Sequence, residues 1–236
     1  MKKYATAGMV SLALFGIANG VSAMDPAYPG DPANPSGPAS PWYVGLGVGY
    51  SYANIPEQTI DGLNSSLLAV VPGAAFSVVS TDKRSTGTKL LLGYDFNRYF
   101  AVEGGYAYLG RTSANMDFRA GLSSVGTFDL DYKMSAWFAD AVGMFPLGEK
   151  WSLVGRLGVS YNRVSTTANG NPITLLASNN DKVDNAVQPK FGAGLDYHFS
   201  PAFTGRLEWE RYKMPDPLSD ENFNVDAATL SVLFHF

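Results

Sequence analysis

The 236-residue chain contains no cysteine, which excludes a disulfide framework and any thiolate metal centre. Charge is also scarce: Asp, Glu, Lys and Arg make up 16% of the residues, against roughly 25% in a typical soluble domain. The apolar run "AGMVSLALFGIANG" at 7–20 is shorter than the ~20 residues a membrane-spanning helix needs. A formal net charge of -4 makes nucleic acid a poor partner. What the chain does have is 13% aromatic residues and 25 glycines, a composition suited to strands with one crowded and one bare face.

Lys2 and Lys3 precede the apolar run, and Val21-Ser22-Ala23 supplies the small-residue pattern of a cleavage site, so residues 1–23 are expected to be a signal peptide. Cleavage would remove two lysines and no acid, moving the net charge from -4 to -6. Residues 24–41, "MDPAYPGDPANPSGPASP", are dense in Pro, Gly and small residues. They read as a flexible leader, either a passive spacer or a contact with cell-wall material.

From Trp42 onward the chain repeats an alternating segment of about ten residues, the length of a tilted strand crossing a bilayer. In the first, Trp42, Val44, Leu46, Val48, Tyr50 and Tyr52 share one face and Gly45, Gly47, Gly49 and Ser51 the other. The same period sets Leu90 and Leu92 against Lys89, Phe100 and Val102 against Glu103, and Leu153 and Leu157 against Arg156. It sets Phe191 and Leu195 against Lys190 and Asp196, and Leu207 and Trp209 against Arg206, Glu208 and Glu210. The C-terminal segment sets Leu230, Val232, Phe234 and Phe236 against Thr229, Ser231 and His235. An eighth segment, 127–145, breaks the pattern because Asp129, Asp131 and Lys133 are odd-numbered while Asp140 is even. Either a bulge separates Lys133 from Asp140, or the upper half of that strand stands clear of the membrane.

Connections at 95–98, 146–150 and 200–202 are short, and those at 53–85, 111–126, 165–186 and 214–225 are expected to be long loops. That alternation is the habit of outer-membrane barrels, with the short turns facing the periplasm. A soluble ligand-carrying barrel would also alternate, so the faces must decide. The charged face is the glycine-rich one, and bulky side chains fit outside a small barrel more easily than inside it. Aromatics gather at both segment ends, as Phe96, Trp151, Phe199 and Phe203 near the short turns and as Tyr50, Tyr106, Tyr161 and Trp209 near the long connections. Two such belts match the two interfaces of a bilayer. The fold expected is all-β, an eight-stranded antiparallel up-and-down transmembrane β-barrel over residues 42–236, its last strand closing on its first.

The stretches "GYDFNRYFAVEGGYAYLGR" (93–111), "WSLVGRLGVSYNR" (151–163), "FGAGLDYHFSPAFTGRLEWE" (191–210) and "WYVGLGVGY" (42–50) resemble the transmembrane domain of outer membrane protein A. The resemblance implies a polar, partly hydrated interior and a terminal Phe236 read by the barrel-assembly machinery, with periplasmic chaperones as partners on the way. It also implies an interior charge cluster that bars or gates the lumen, at Glu103, Asp196 and Arg206 with Arg156 and Glu208 alongside. The family's strand-four lysine falls at Val142, so that partner is missing unless Lys89, Lys133 or Lys190 substitutes. The chain ends with the barrel, and the family's peptidoglycan-binding domain is not expected.

The interior charges are either structural glue or an ion pathway. His198 and His235, with Asp196, lack the tight spacing of a metal site. No Ser-His arrangement lies toward the long loops, and "GLGVG" precedes no helix, so neither lipid-modifying chemistry nor a phosphate loop is expected. The segment "SSLLAVVPGAAFSVVS" in the first long loop is apolar enough to cover the barrel mouth or to serve as an adhesive patch. The expected function is a non-enzymatic outer-membrane barrel with an envelope role, without cofactor or metal. Its partners would be outer-membrane lipid and lipopolysaccharide, and a surface ligand for the loops. The alternative is a narrow channel for ions or small solutes.

Overall fold

The computed structural model describes residues 40–54, 74–120, 123–170, 181–215 and 222–236. The expected signal peptide, the leader up to residue 39 and residues 63–73 of the apolar first loop lie outside the described residues. The strands are β1 (Trp42–Asn54), β2 (Ala74–Asp82), β3 (Arg84–Asn97), β4 (Phe100–Ala120), β5 (Ser123–Pro146), β6 (Trp151–Gly170), β7 (Asp181–Ser200), β8 (Phe203–Pro215) and β9 (Asn222–His235).

All strand pairs are antiparallel, and the order β3-β1-β9-β8-β7-β6-β5 is closed by pairing of β4 with both β3 and β5. The result is a ring of eight strands. β2 is not a ninth stave. It follows β3's line beyond Lys83 and pairs with the outer part of β4, from Asp82↔Ser113 to Ala74↔Ala120. Closure joins the ends of the sequence, with Val44 opposite Phe234 and the Phe236 N–H donating to the Trp42 carbonyl. A closed ring leaves the backbone no open edge in hydrocarbon, where an unpaired amide would cost several kcal/mol.

The alternation separates the faces as the sequence predicts. Leu46, Leu157 and Val187 point outward at 66–67% exposure, while Lys89, Glu103, Arg156 and Arg206 point inward at 4% or less. An exposed apolar wall around an ionised interior is stable only if the surrounding solvent is lipid. The outward rings couple across strands, as in Trp42 on Tyr94, Tyr106 on Trp137, Trp151 on Tyr197 and Phe203 on Phe234, with centroids 4.7–5.2 Å apart.

Two expectations are corrected. The described residues of the connections 111–126 and 165–186, namely 111–120, 123–126, 165–170 and 181–186, are strand, because β4 to β7 run for 20–24 residues, about twice what a bilayer requires. Outside lipid a ladder needs no apolar face, so those extensions carry no period-two signal. Likewise 74–80 of the apolar first loop belongs to β2, whose backbone lies along β4.

The irregular segment 127–145 resolves in favour of its second reading. The β5–β6 register runs unbroken from Phe128↔Gly170 to Pro146↔Ser152, so β5 has no bulge of its own against β6. Asp129, Asp131 and Lys133 lie on the outward face of the part beyond the barrel, and Asp140 points into the lumen. The bulge is on β4, where the register against β5 slips between Tyr108 and Gly110. Gly110 has φ +88, and a β-carbon there would sit 2.6 Å from the Thr86 carbonyl oxygen, so only glycine fits. Side chains pin the bulge on both sides: the Ser51 hydroxyl donates to the Leu109 carbonyl, and the Arg111 N–H donates to Ser85 Oγ at 2.7 Å.

Candidate functional site: the charged lumen

The inward parity of six strands delivers nine ionised side chains to one connected cluster within the tube. They are Lys89 of β3, Glu103 of β4, Asp140 of β5, Arg156 of β6, Lys190 and Asp196 of β7, and Arg206, Glu208 and Glu210 of β8. None exceeds 4% exposure. Glycines on the same face make the room. A β-carbon at Gly192 would stand 3.0 Å from Glu210 Cγ and 3.1 Å from Arg156 Cγ, so the stems of both lie across bare backbone.

The pairing is dense. Arg206 holds Asp196 with two parallel bonds of 2.7 and 2.9 Å, and its third nitrogen donates to Glu103. Arg156 reaches Glu103 at 2.7 Å, Glu210 at 2.8 Å, Glu208 at 3.0 Å and Asp140 at 3.5 Å. Lys190 bridges Asp140 and Glu210 at 2.6 and 2.5 Å, and Lys89 bridges Glu208 and Glu210 at 2.7 and 2.8 Å. Tyr43 and Tyr212 donate to Glu103 and Glu210 at 2.7 and 3.0 Å. The ring of Phe138 faces both ammonium groups, 4.8 Å from Lys89 and 4.3 Å from Lys190. Four cations thus meet five carboxylates, as ions held in a low-dielectric tube must.

All five residues of the predicted cluster, Glu103, Arg156, Asp196, Arg206 and Glu208, meet in this network. Of the three lysines weighed for the partner missing at Val142, Lys89 and Lys190 enter, whereas Lys133 is outside the barrel above the Tyr108 ring. Val142 packs with Ala101 and Val154. Sequence reasoning left out Asp140, Glu210, Tyr43 and Phe138. Glu210 was legible from its parity with Arg206 and Glu208. Asp140 and Phe138 were hidden by the mixed parity of β5.

Toward the loop side, Leu109, Met134, Val164, Tyr212, Met214 and Phe223 form a mostly apolar storey, none more than 4% exposed, with buried Thr112, Asn162 and Thr166 set among them. A cavity between the two storeys, lined by Lys89, Leu109, Glu210 and Tyr212 among others, has a volume of about 10 Å³, room for roughly one water molecule. Toward the turns, His235 Nε2 lies 3.5 Å from Asp95. His198 Nδ1 is 2.9 Å from Thr204 Oγ1 and its Nε2 3.3 Å from Ser152 Oγ. Asp196, the carboxylate across the ladder from Ser152, is committed to Arg206. Among the described residues no three His, Asp or Glu side chains converge as metal ligands.

A closed antiparallel ring with an apolar wall, aromatic belts and an ion-paired interior is a transmembrane β-barrel of the kind found in bacterial outer membranes. The family model of the outer membrane protein beta-barrel domain matches residues 11–236, and the chain belongs to that family. No curated protein is similar in sequence. Among solved structures the chain is similar to Ail, the attachment invasion locus protein of Yersinia pestis, at 18% identity over 82% of this chain and 98% of that one, with a TM-score of 0.44. It is also similar to Neisserial surface protein A, at 12% identity over 84% and 98%, TM-score 0.49. The outer membrane protein OprG of Pseudomonas aeruginosa gives 15% identity over 85% and 99%, TM-score 0.45.

Proposed function

We propose that this protein is a non-enzymatic barrel that contributes to the integrity of the outer membrane and presents its extracellular strand extensions to a surface ligand, with a lumen that does not conduct. The observation that carries this reading is a lumen filled in two storeys. An ion entering from the loop side meets closely packed, mostly apolar side chains, among which the oxygens of Thr112, Asn162 and Thr166 are too few to replace its hydration shell. Below them the charges are already committed to one another. An eight-stranded tube is just wide enough for such a filling. In planar bilayers the purified protein is expected to show no steady conductance above leak. Step conductances in reproducible units would overturn this reading and leave the narrow channel.

On this reading residues 1–23 direct export and are cleaved, 24–41 act as a passive spacer, and outer-membrane lipid and lipopolysaccharide surround the barrel. Phe236 serves as the signal for the barrel-assembly machinery, with periplasmic chaperones delivering the unfolded chain. Removing Phe236 alone is expected to lower the amount of heat-modifiable, folded barrel in the outer membrane while leaving refolding into detergent unchanged. An equal loss of refolding would reduce its role to packing against Phe234, 6.4 Å away.

A further inference from the structure

The bulge in β4 has a second effect. Up to Leu109 the odd-numbered residues of β4 point into the lumen, as Ala101, Glu103 and Ala107 do. The extra residue reverses that parity, so Arg111 emerges on the outer wall instead of joining the interior charges. There it lies directly across the ladder from Lys133, also exposed, and Arg163 of β6 stands opposite Ser135, the next outward residue of β5. Like charges directly opposite on one sheet face repel. Among the residues whose side chains are described, no ion pair joins a carboxylate to Arg111, Lys133 or Arg163. By contrast the outward Arg211 of β8 is held by Asp226 at 2.7 and 2.8 Å.

Position narrows what could neutralise them. Along each strand's outer face the cations come one or two places beyond a belt aromatic: Arg111 after Tyr108, Arg163 after Tyr161, Lys133 two places after Trp137. At two residues per place this is about 7–14 Å along the strand, the depth of headgroups above the hydrocarbon. Further out on β5 come Asp131, bonded to Ser113 at 2.6 Å, and Asp129. From lipid to water the outer face of β5 therefore reads aromatic, cation, carboxylate. That order favours an anion approaching from the membrane over one approaching from solution.

We infer that Arg111, Lys133 and Arg163 form a binding site on the outer wall for the phosphate groups of a lipid headgroup in the extracellular leaflet. Guanidinium groups suit phosphate through paired N–H donors, and bound phosphate removes the repulsion that the bulge creates. The inference rests on the outer-membrane placement of the barrel and is independent of whether the lumen conducts.

The test places the mature protein in phosphatidylcholine nanodiscs doped with bisphosphorylated lipid A, or with lipid A stripped of phosphate, and measures retained glycolipid by native mass spectrometry. Wild type is expected to retain the phosphorylated form preferentially. The variant combining Arg111→Gln, Lys133→Gln and Arg163→Gln is expected to retain it on the order of a hundredfold less, three cations being lost. Arg211→Gln should retain it as wild type does. Equal retention by wild type and the triple variant overturns the inference, as does equal retention of the two lipids. Displacement by millimolar inorganic phosphate would make the site one for soluble anions and overturn the lipid assignment. Should the triple variant fold poorly, wild-type retention that does not fall as salt is raised overturns the inference by itself.

Discussion

Arg206→Ala is expected to destabilise the barrel by about 3–5 kcal/mol, the usual result of removing one partner from a buried ion pair. Arg206 supplies both hydrogen bonds that Asp196 receives from a cation and one of those made to Glu103. Glu103 keeps Arg156 and Tyr43, but Asp196, 2% exposed, is left as a buried carboxylate with no cation. The methyl of alanine also leaves a void where one of the largest fully buried side chains had been. Urea unfolding in detergent micelles, followed by the mobility difference between folded and heated protein, measures the loss. Arg206→Lys keeps the charge but not the parallel pair, and should fall between wild type and alanine. If stability is unchanged while conductance appears, the cluster gates an ion path and does not brace the wall.

Leu157→Arg tests the other face. Leu157 lies on β6 between Trp151 and Tyr161, one from each aromatic belt, and is 66% exposed in the isolated chain. That places it near the bilayer midplane, where arginine on the lipid face of a barrel costs about 2–4 kcal/mol. The same arginine at a surface site in water would cost almost nothing. Unfolding from phospholipid vesicles is expected to show the full penalty, with Leu157→Ala giving only a small part of it. A Leu157→Arg protein as stable as wild type would mean that the outward wall does not touch hydrocarbon.

The sequence alone determined which side chains face which way wherever a strand lies in lipid. Each outward position there must be apolar, so the period of two is written without interruption in β1, β3, β8 and β9. Parity then placed Glu103, Arg156, Asp196, Arg206 and Glu208 in one lumen, because inward residues of a narrow tube have nowhere else to go. Tertiary structure decided what parity cannot express. Which ions pair depends on the stagger between strands, which brings Lys89 to Glu208 and Glu210 across 119 and 121 residues of sequence. The extensions of β4 to β7 escaped notice because water imposes no apolar face on a strand. The bulge at Gly110 escaped because one extra residue changes parity without changing composition, and that change puts Arg111 outside the barrel and not within it.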